Sequence, residues 1–180
     1  MKRARKEKKR MAYTAKECAY IAVFVALVIS AQLALSMLAG VEVVTVLFIA
    51  YAFTFGVVKG TFSATVFSLV RQLLFGVDLK VLVLYLIYYN FLTAVFGMLG
   101  KNIKEPKEKM PLLILIACVC TVCFTMLDNL LTPLWYGYTK KTAWLYFKYS
   151  LPVVFPQTVC TGITTALLFL PLRKVFLTVK

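Results

Sequence analysis

Four long stretches of this chain contain no charged residue, and their length limits what the chain can fold into. They are residues 18–41, 81–100, 110–127 and 149–172. About 20 helical residues cross the hydrocarbon core of a bilayer, so each stretch predicts a membrane-spanning helix. The 180 residues are 62% hydrophobic and 16% charged, and a soluble domain of this length has no way to bury so much apolar surface. The sequence therefore predicts a membrane protein.

The middle of the chain adds two shorter predicted spans. Residues 43–58 carry no charge, and residues 60–76 are interrupted only by Arg71. The sequence "FGVVKG" between them predicts a tight turn, because glycine punctuates helical segments. The chain is therefore predicted to be an all-α membrane protein, a bundle of six transmembrane helices.

Basic residues are unevenly distributed along this predicted topology. Seven of them fall in the first ten residues, and an N-terminus inside the cell places 16 of the 21 on the inside. The excess of lysine and arginine on cytoplasmic segments predicts that both termini are cytoplasmic. We interpret residues 1–14 as a basic tail attracted to anionic lipid and residues 15–180 as a single membrane domain. No soluble basic domain accompanies the tail, so nucleic-acid binding is not expected.

The residues of known enzyme and metal sites are missing from the sequence. It contains no phosphate-binding loop, no nucleophile elbow, and no histidine for general-base chemistry. Three of the five cysteines, Cys118, Cys120 and Cys123, fall on different faces of a predicted helix. We therefore predict no catalytic residues, no metal site and no cofactor.

Polar residues inside the predicted spans are the candidate ligand-binding residues. Buried polar groups in a helix bundle usually face a cavity, a partner or one another. The candidates are Arg71, Tyr85, Tyr89, Asn90, Asp128, Asn129, Trp135 and Gln157. Arg71 and Lys148 favour an anionic or carbonyl-rich ligand, and the tyrosines favour a planar or bulky one. Two alternatives are an aromatic belt with snorkelling charges and an Arg71–Asp128 ion pair that fixes two helices together.

Small residues recur on one face of the first predicted helix. Ala15, Ala19, Ala22 and Ala26 are spaced at i, i+4, i+7 and i+11, which places them on one side of an α-helix. Small side chains allow a second helix to approach closely in lipid. The alanines are therefore predicted to contact a partner protein or, alternatively, to pack within the bundle.

Three stretches of the chain resemble a known transporter family. The first is "AVFVA", with Ala22 and Ala26. The second is "GVEVVTVLFIAYAFTFGVVKG", which ends in the Gly56-x-x-x-Gly60 pattern, and the third is the C-terminal helix with its closing "PLR" at Pro171. Together with six predicted helices in about 180 residues, this order resembles the substrate-binding S component of energy-coupling factor (ECF) vitamin transporters. The resemblance covers roughly residues 15–178.

The resemblance implies a function in bacterial vitamin uptake. An S component lies in the plasma membrane as a multi-pass protein and binds a vitamin or related micronutrient from outside. It delivers that substrate through a transmembrane coupling subunit driven by two ATPase subunits, and Ala22 and Ala26 would dock on the coupling subunit. The competing interpretation is a small polytopic membrane interaction or scaffold protein, whose polar residues only hold helices together.

Overall fold

A computed structural model of the protein describes residues 14–35 and 43–179, which form six α-helices and no β-strand. The helices are α1 (Ala15–Leu35), α2 (Val44–Phe55), α3 (Val57–Phe75), α4 (Leu79–Asn102), α5 (Met110–Tyr136) and α6 (Lys140–Val179). The predicted all-α architecture with six helices is confirmed.

Four of these helices, α1, α4, α5 and α6, are long and apolar enough to cross a membrane. The predicted spans over residues 43–58 and 60–76 differ from this pattern. The second helix, α2, has 12 residues and is about 18 Å long at 1.5 Å per residue, and α3 carries both Lys59 and Arg71. Length and composition alone therefore support four membrane-spanning helices. For α2 and α3, the packing against the other helices has to be considered as well.

The short helix α2 is the core of the bundle. Every residue from Val44 to Thr54 is buried, and α2 packs against α3, α4 and α6. The ring of Phe48, which is fully buried, lies 5.4 Å from that of Phe24 in α1 and 5.2 Å from that of Phe67 in α3. An apolar helix of this length is typical of a buried core element. Because protein surrounds α2, it is apolar on all sides although it is shorter than a span that faces lipid.

One end of the bundle collects both described termini and is here called the basic end. Lys59, at the start of α3, forms an ion pair of 2.8 Å with Glu17 at the start of α1. Near the end of α6, the guanidinium carbon of Arg173 lies 5.7 Å from the ring centroid of Phe53 in α2. The basic end is therefore formed by the start of α1, the α2–α3 junction, the connection over residues 103–109 and the end of α6.

The junction between α2 and α3 is tighter than the predicted turn over residues 55–60. Gly56 alone separates the two helices, with a φ of 89° that glycine adopts without strain. Gly97 and Gly100 of α4 pack against this junction. A Cβ atom on Gly97 would lie 2.6 Å from the backbone nitrogen of Val57, and one on Gly100 would overlap the Phe53 carbonyl. Glycine therefore lets α4 contact the backbone of the junction directly.

The connection between α5 and α6 is shorter than the gap between the two uncharged runs and lies within residues 134–142, where the sequence predicts an external loop. Helix α5 continues to Tyr136, beyond the run that ends at residue 127, and α6 begins at Lys140, before the run that begins at residue 149. The runs ended at Asp128 and Lys148 because each carries a charge. Since the Asp128 carboxylate has hydrogen-bond partners on neighbouring helices, it does not end α5.

Candidate functional site

Arg71 lies near the end of α3 with its guanidinium group against two aromatic rings. The guanidinium carbon is 4.6 Å from the ring centroid of Tyr85 and 4.9 Å from that of Phe75, distances at which the face of a ring attracts a cation. The Nε atom of Arg71 is buried and has no hydrogen-bond partner within the described residues. Ring contacts therefore hold the side chain, and at least one donor remains unused.

The alternative role for Arg71, an ion pair with Asp128, is not formed. Asp128 instead pairs with Lys80, whose Nζ lies 2.9 Å from Oδ1 of the carboxylate. Lys80 is in the first turn of α4, which packs against α5, whereas the rings of Tyr85 and Phe75 hold the Arg71 guanidinium. The predicted ion pair of Asp128 therefore exists, but its cation is Lys80 and not Arg71.

The Asp128 carboxylate connects three helices. The Tyr146 hydroxyl on α6 donates to its Oδ2 at 2.7 Å, and the Thr132 hydroxyl, one turn further along α5, donates to Oδ1 at 3.0 Å. Lys80 on α4 also donates to the Thr132 hydroxyl at 3.1 Å. The Lys80 and Asp128 side chains are only 13% and 23% exposed, so the network replaces water as the solvent of both charges.

A cavity of about 380 Å³ lies beside this network, between α5 and α6. We call it the α5–α6 cavity. It is lined by Phe124, Thr125, Asp128, Tyr146, Tyr149, Ser150, Val153 and Gln157. The volume is within the range of small-molecule sites, and a largely apolar wall with a few polar groups is typical of them. Of the predicted ligand-binding residues, Asp128 and Gln157 line it.

Phe124 separates the cavity from the other predicted aromatic residues. Its ring lies 4.6 Å from that of Tyr88 and 6.1 Å from that of Tyr85. Tyr89 is 2% exposed and packs 5.3 Å from Phe67, so it belongs to the core of the bundle. The predicted single site is therefore divided, with Arg71, Tyr85 and Tyr89 on one side of Phe124 and the cavity on the other.

The remaining predicted site residues lie outside the cavity wall. Asn90 joins α3 to α4, because its Oδ1 accepts a hydrogen bond from Thr65 at 3.2 Å. Asn129 donates to the hydroxyl of Ser150 at 2.8 Å, and its Oδ1 is buried without a partner among the described residues. Trp135 is 48% exposed near the end of α5. Asn129 is therefore one contact away from the cavity, and Asn90 and Trp135 are not part of it.

Sequence reasoning missed several residues of the cavity that share a recognisable spacing. Tyr146, Ser150, Val153 and Gln157 are at i, i+4, i+7 and i+11 along α6, and this spacing defines one helical face. The same test identified the alanine face of α1. Applied to the polar residues of the last helix, it predicts that Tyr146 and Ser150 lie on the same side as Gln157.

The alanines of α1 face away from the bundle. Ala15, Ala19, Ala22 and Ala26 are all exposed, while Phe24, Val25 and Val28 of the same helix are buried. The alternative in which the alanines pack within the bundle is therefore wrong for the described residues. Their contact with a partner protein stays a prediction.

Comparisons with protein-family models, with characterised proteins and with solved structures give no match for this chain.

Proposed function

We propose that the protein is the substrate-binding S component of an ECF-type vitamin importer. In this proposal it crosses the bacterial plasma membrane six times, with both termini in the cytoplasm. It binds a vitamin or related micronutrient from outside and delivers it through a transmembrane coupling subunit driven by two ATPase subunits. The observation that carries the proposal is the α5–α6 cavity.

The position of the cavity supports binding from outside. Its residues Phe124 to Asp128 lie in the half of α5 that is remote from the basic end, and Tyr146 to Gln157 lie in the corresponding half of α6. Lysine and arginine favour the cytoplasmic side of a membrane, so the basic end is assigned to the cytoplasm. A ligand would then enter from the opposite, external side.

The chemistry of the cavity supports an organic ligand of modest polarity. Phe124, Tyr146 and Tyr149 provide ring surface, and Gln157 and Ser150 provide hydrogen-bonding groups. The Asp128 carboxylate is already paired with a lysine, so the cavity wall carries little uncompensated charge. Arg71 stays a predicted ligand contact, although the wall formed by Phe124 stands between it and this cavity.

The exposed alanine face of α1 supports a partner in the membrane. Ala22 and Ala26 present small side chains to the surroundings, and small residues let another helix pack closely in lipid, where dispersion contacts drive association. In this proposal such a partner supplies the energy for uptake.

The alternative is a small membrane interaction or scaffold protein without transport activity. The contacts of Lys80 and Asp128 favour it, because these charges hold helices together. The two functions differ in their need for an open cavity, which a scaffold does not require.

Filling the cavity tests the proposal. Val153 lines the cavity and is 53% exposed, so Val153→Trp adds bulk there and removes no side-chain hydrogen bond. We expect the small molecule that the wild-type protein carries through purification to fall at least about tenfold, a loss of about 1.4 kcal/mol of binding energy. Mass spectrometry of the extracted small molecules measures it.

Val159→Trp is the matched control, because Val159 is an exposed valine of the same helix outside the cavity. It should retain the molecule at the wild-type level. Equal retention in both variants, or no small molecule in the wild type, would favour the scaffold function.

The proposed topology predicts opposite accessibility for two exposed lysines. In a background without the five native cysteines, single cysteines at Lys104 and Lys140 should react with a membrane-impermeant thiol reagent from opposite sides. In intact cells only the cysteine at position 140 should be labelled, because positive-inside asymmetry assigns residue 104 to the cytoplasm. Labelling of both positions from outside would exclude the proposed orientation.

A further inference from the structure

A second cavity, of about 390 Å³, lies at the basic end of the bundle. We call it the basic-end cavity. The connection between α4 and α5 forms one wall, and the last turns of α6 form the other. Its charged lining residues are Lys107, Arg173, Lys174 and Glu105, and Leu170 and Pro171 contribute apolar surface. Three cations and one carboxylate leave an excess of positive charge in a concave site, which favours an anionic ligand.

The cations of this cavity have no carboxylate partner among the described residues. In that part of the chain the two ion pairs are Glu17–Lys59 and Lys80–Asp128, and neither includes a residue of the cavity. Arg173 is held on its inner side by the ring of the buried Phe53, 5.7 Å from the guanidinium carbon. A cation held in this way can direct its donors at an anion, and guanidinium groups bind phosphate oxygens in pairs.

The surface next to the cavity is apolar. On α6, one turn before the cavity, Leu167 is 66% exposed and Leu168 is 37% exposed, and beyond the cavity Val175 is 58% exposed. A soluble anion would use the cations alone. An anion that carries hydrocarbon chains would also cover this surface, and a basic site at the cytoplasmic level of a membrane protein is where anionic headgroups bind.

We propose that the basic-end cavity binds the phosphate of an anionic phospholipid, with its acyl chains along the exposed leucines of α6. Lys107, Arg173 and Lys174 donate to the phosphate, and Glu105, the acidic residue of the lining, accepts hydrogen bonds from headgroup hydroxyls. This site rests on the orientation proposed above, with the basic end on the cytoplasmic side of a membrane, and it does not depend on the transport function.

The test uses the full chain in detergent and dioleoylphosphatidylglycerol as the probe, with bound lipid counted by native mass spectrometry. The double variant Arg173→Gln with Lys174→Gln should weaken lipid binding at least about tenfold, because each basic residue near an anionic lipid adds to the affinity and the variant removes two of them. The basic residues at positions 2–10 are the same in all variants, so they contribute equally to every measurement. The measured difference therefore belongs to the cavity.

The matched control is Lys140→Gln with Lys141→Gln, an adjacent basic pair at the opposite end of the bundle, which should leave lipid binding unchanged. If the Arg173 and Lys174 variant does not purify as a folded monomer, Lys107→Gln on the exposed connection takes its place. It should also weaken lipid binding, but by a smaller factor, because it removes one cation instead of two. An equal loss in the control, or equal binding of dioleoylphosphatidylcholine, would overturn the proposal. Displacement of the lipid by millimolar inorganic phosphate would assign the site to a soluble anion instead and also overturn it.

Discussion

Asp128→Asn is expected to destabilise the protein strongly, because it leaves the Lys80 ammonium group without its counter-charge. The side chain of Lys80 is 13% exposed and its ion pair with Asp128 is 2.9 Å long. Removing one partner of a buried ion pair typically costs about 3–5 kcal/mol. Because the Lys80 and Asp128 side chains are partly exposed, we expect a smaller loss of about 2–3 kcal/mol here. Thermal unfolding in detergent, followed by fluorescence or circular dichroism, measures the loss.

The double variant Lys80→Met with Asp128→Asn should recover most of that stability. It removes both charges, and the asparagine carbonyl still accepts a hydrogen bond from Tyr146, whose hydroxyl lies 2.7 Å from the Asp128 carboxylate. The double variant should therefore be less destabilised, by at least about 2 kcal/mol, than the sum of the losses measured for the two single variants.

Two further variants make this experiment specific. Lys141→Met removes an exposed lysine at the same end of the bundle and should change stability by less than about 0.5 kcal/mol. Arg71→Met, paired with Asp128→Asn, should give no recovery, because Arg71 contacts Tyr85 and Phe75 and not the carboxylate. Recovery through Arg71 instead of Lys80 would contradict the arrangement of charges described above.

The helices were predictable from the sequence because lipid tolerates few charges. Within the described residues, each uncharged run falls within or largely overlaps a helix, and the errors lie at the ends of the runs. Residues 1–13 of the predicted tail and residues 36–41 of the first predicted span lie outside the described residues. A charge marks the end of a span only if it faces water. The Asp128 side chain reaches Lys80 and Tyr146 on other helices, so α5 continues past it, and no local pattern reveals those partners.

The grouping of the site residues was not predictable in the same way. Successive residues of a helix differ in direction by about 100°, so the partner of a side chain depends on how far each helix is rotated. Arg71 lies near the end of α3 and Lys80 at the start of α4, so both cations are on the same side of the bundle. No pattern in the sequence favours either one as the partner of Asp128. The division of the predicted site by Phe124 has the same origin, since it depends on the packing of α4 against α5.

The length of α2 shows that hydropathy does not separate a membrane span from a buried core helix. Residues 43–58 are apolar for 16 residues, which is consistent with a short span and also with a core helix. The structure has a helix of 12 residues buried on all sides, because α3, α4 and α6 surround it. Apolarity alone does not distinguish contact with lipid from contact with protein, and only the neighbouring helices decide it.

Replacing Ala22 and Ala26 with tryptophan is expected to abolish uptake while preserving ligand binding. Both alanines are exposed on α1, and α1 packs against α2 and α3, away from the α5–α6 cavity. Two indole rings would prevent a partner helix from approaching closely, since such contacts in lipid require small residues. Retention of the small molecule by isolated protein should stay within about threefold of wild type, below the tenfold change that 1.4 kcal/mol produces.

The control for this experiment lies on the same helix. Val23 and Leu27 have the same spacing and are 68% and 48% exposed, but they lie about 100° away from the alanines around the helix axis. Tryptophan at both of these positions should preserve uptake and the co-purification of a membrane partner, because large side chains already occupy that face. If instead the alanine variant loses its small molecule while a partner still co-purifies, Ala22 and Ala26 support the fold of the binding protein. Docking would then have to be assigned to another surface.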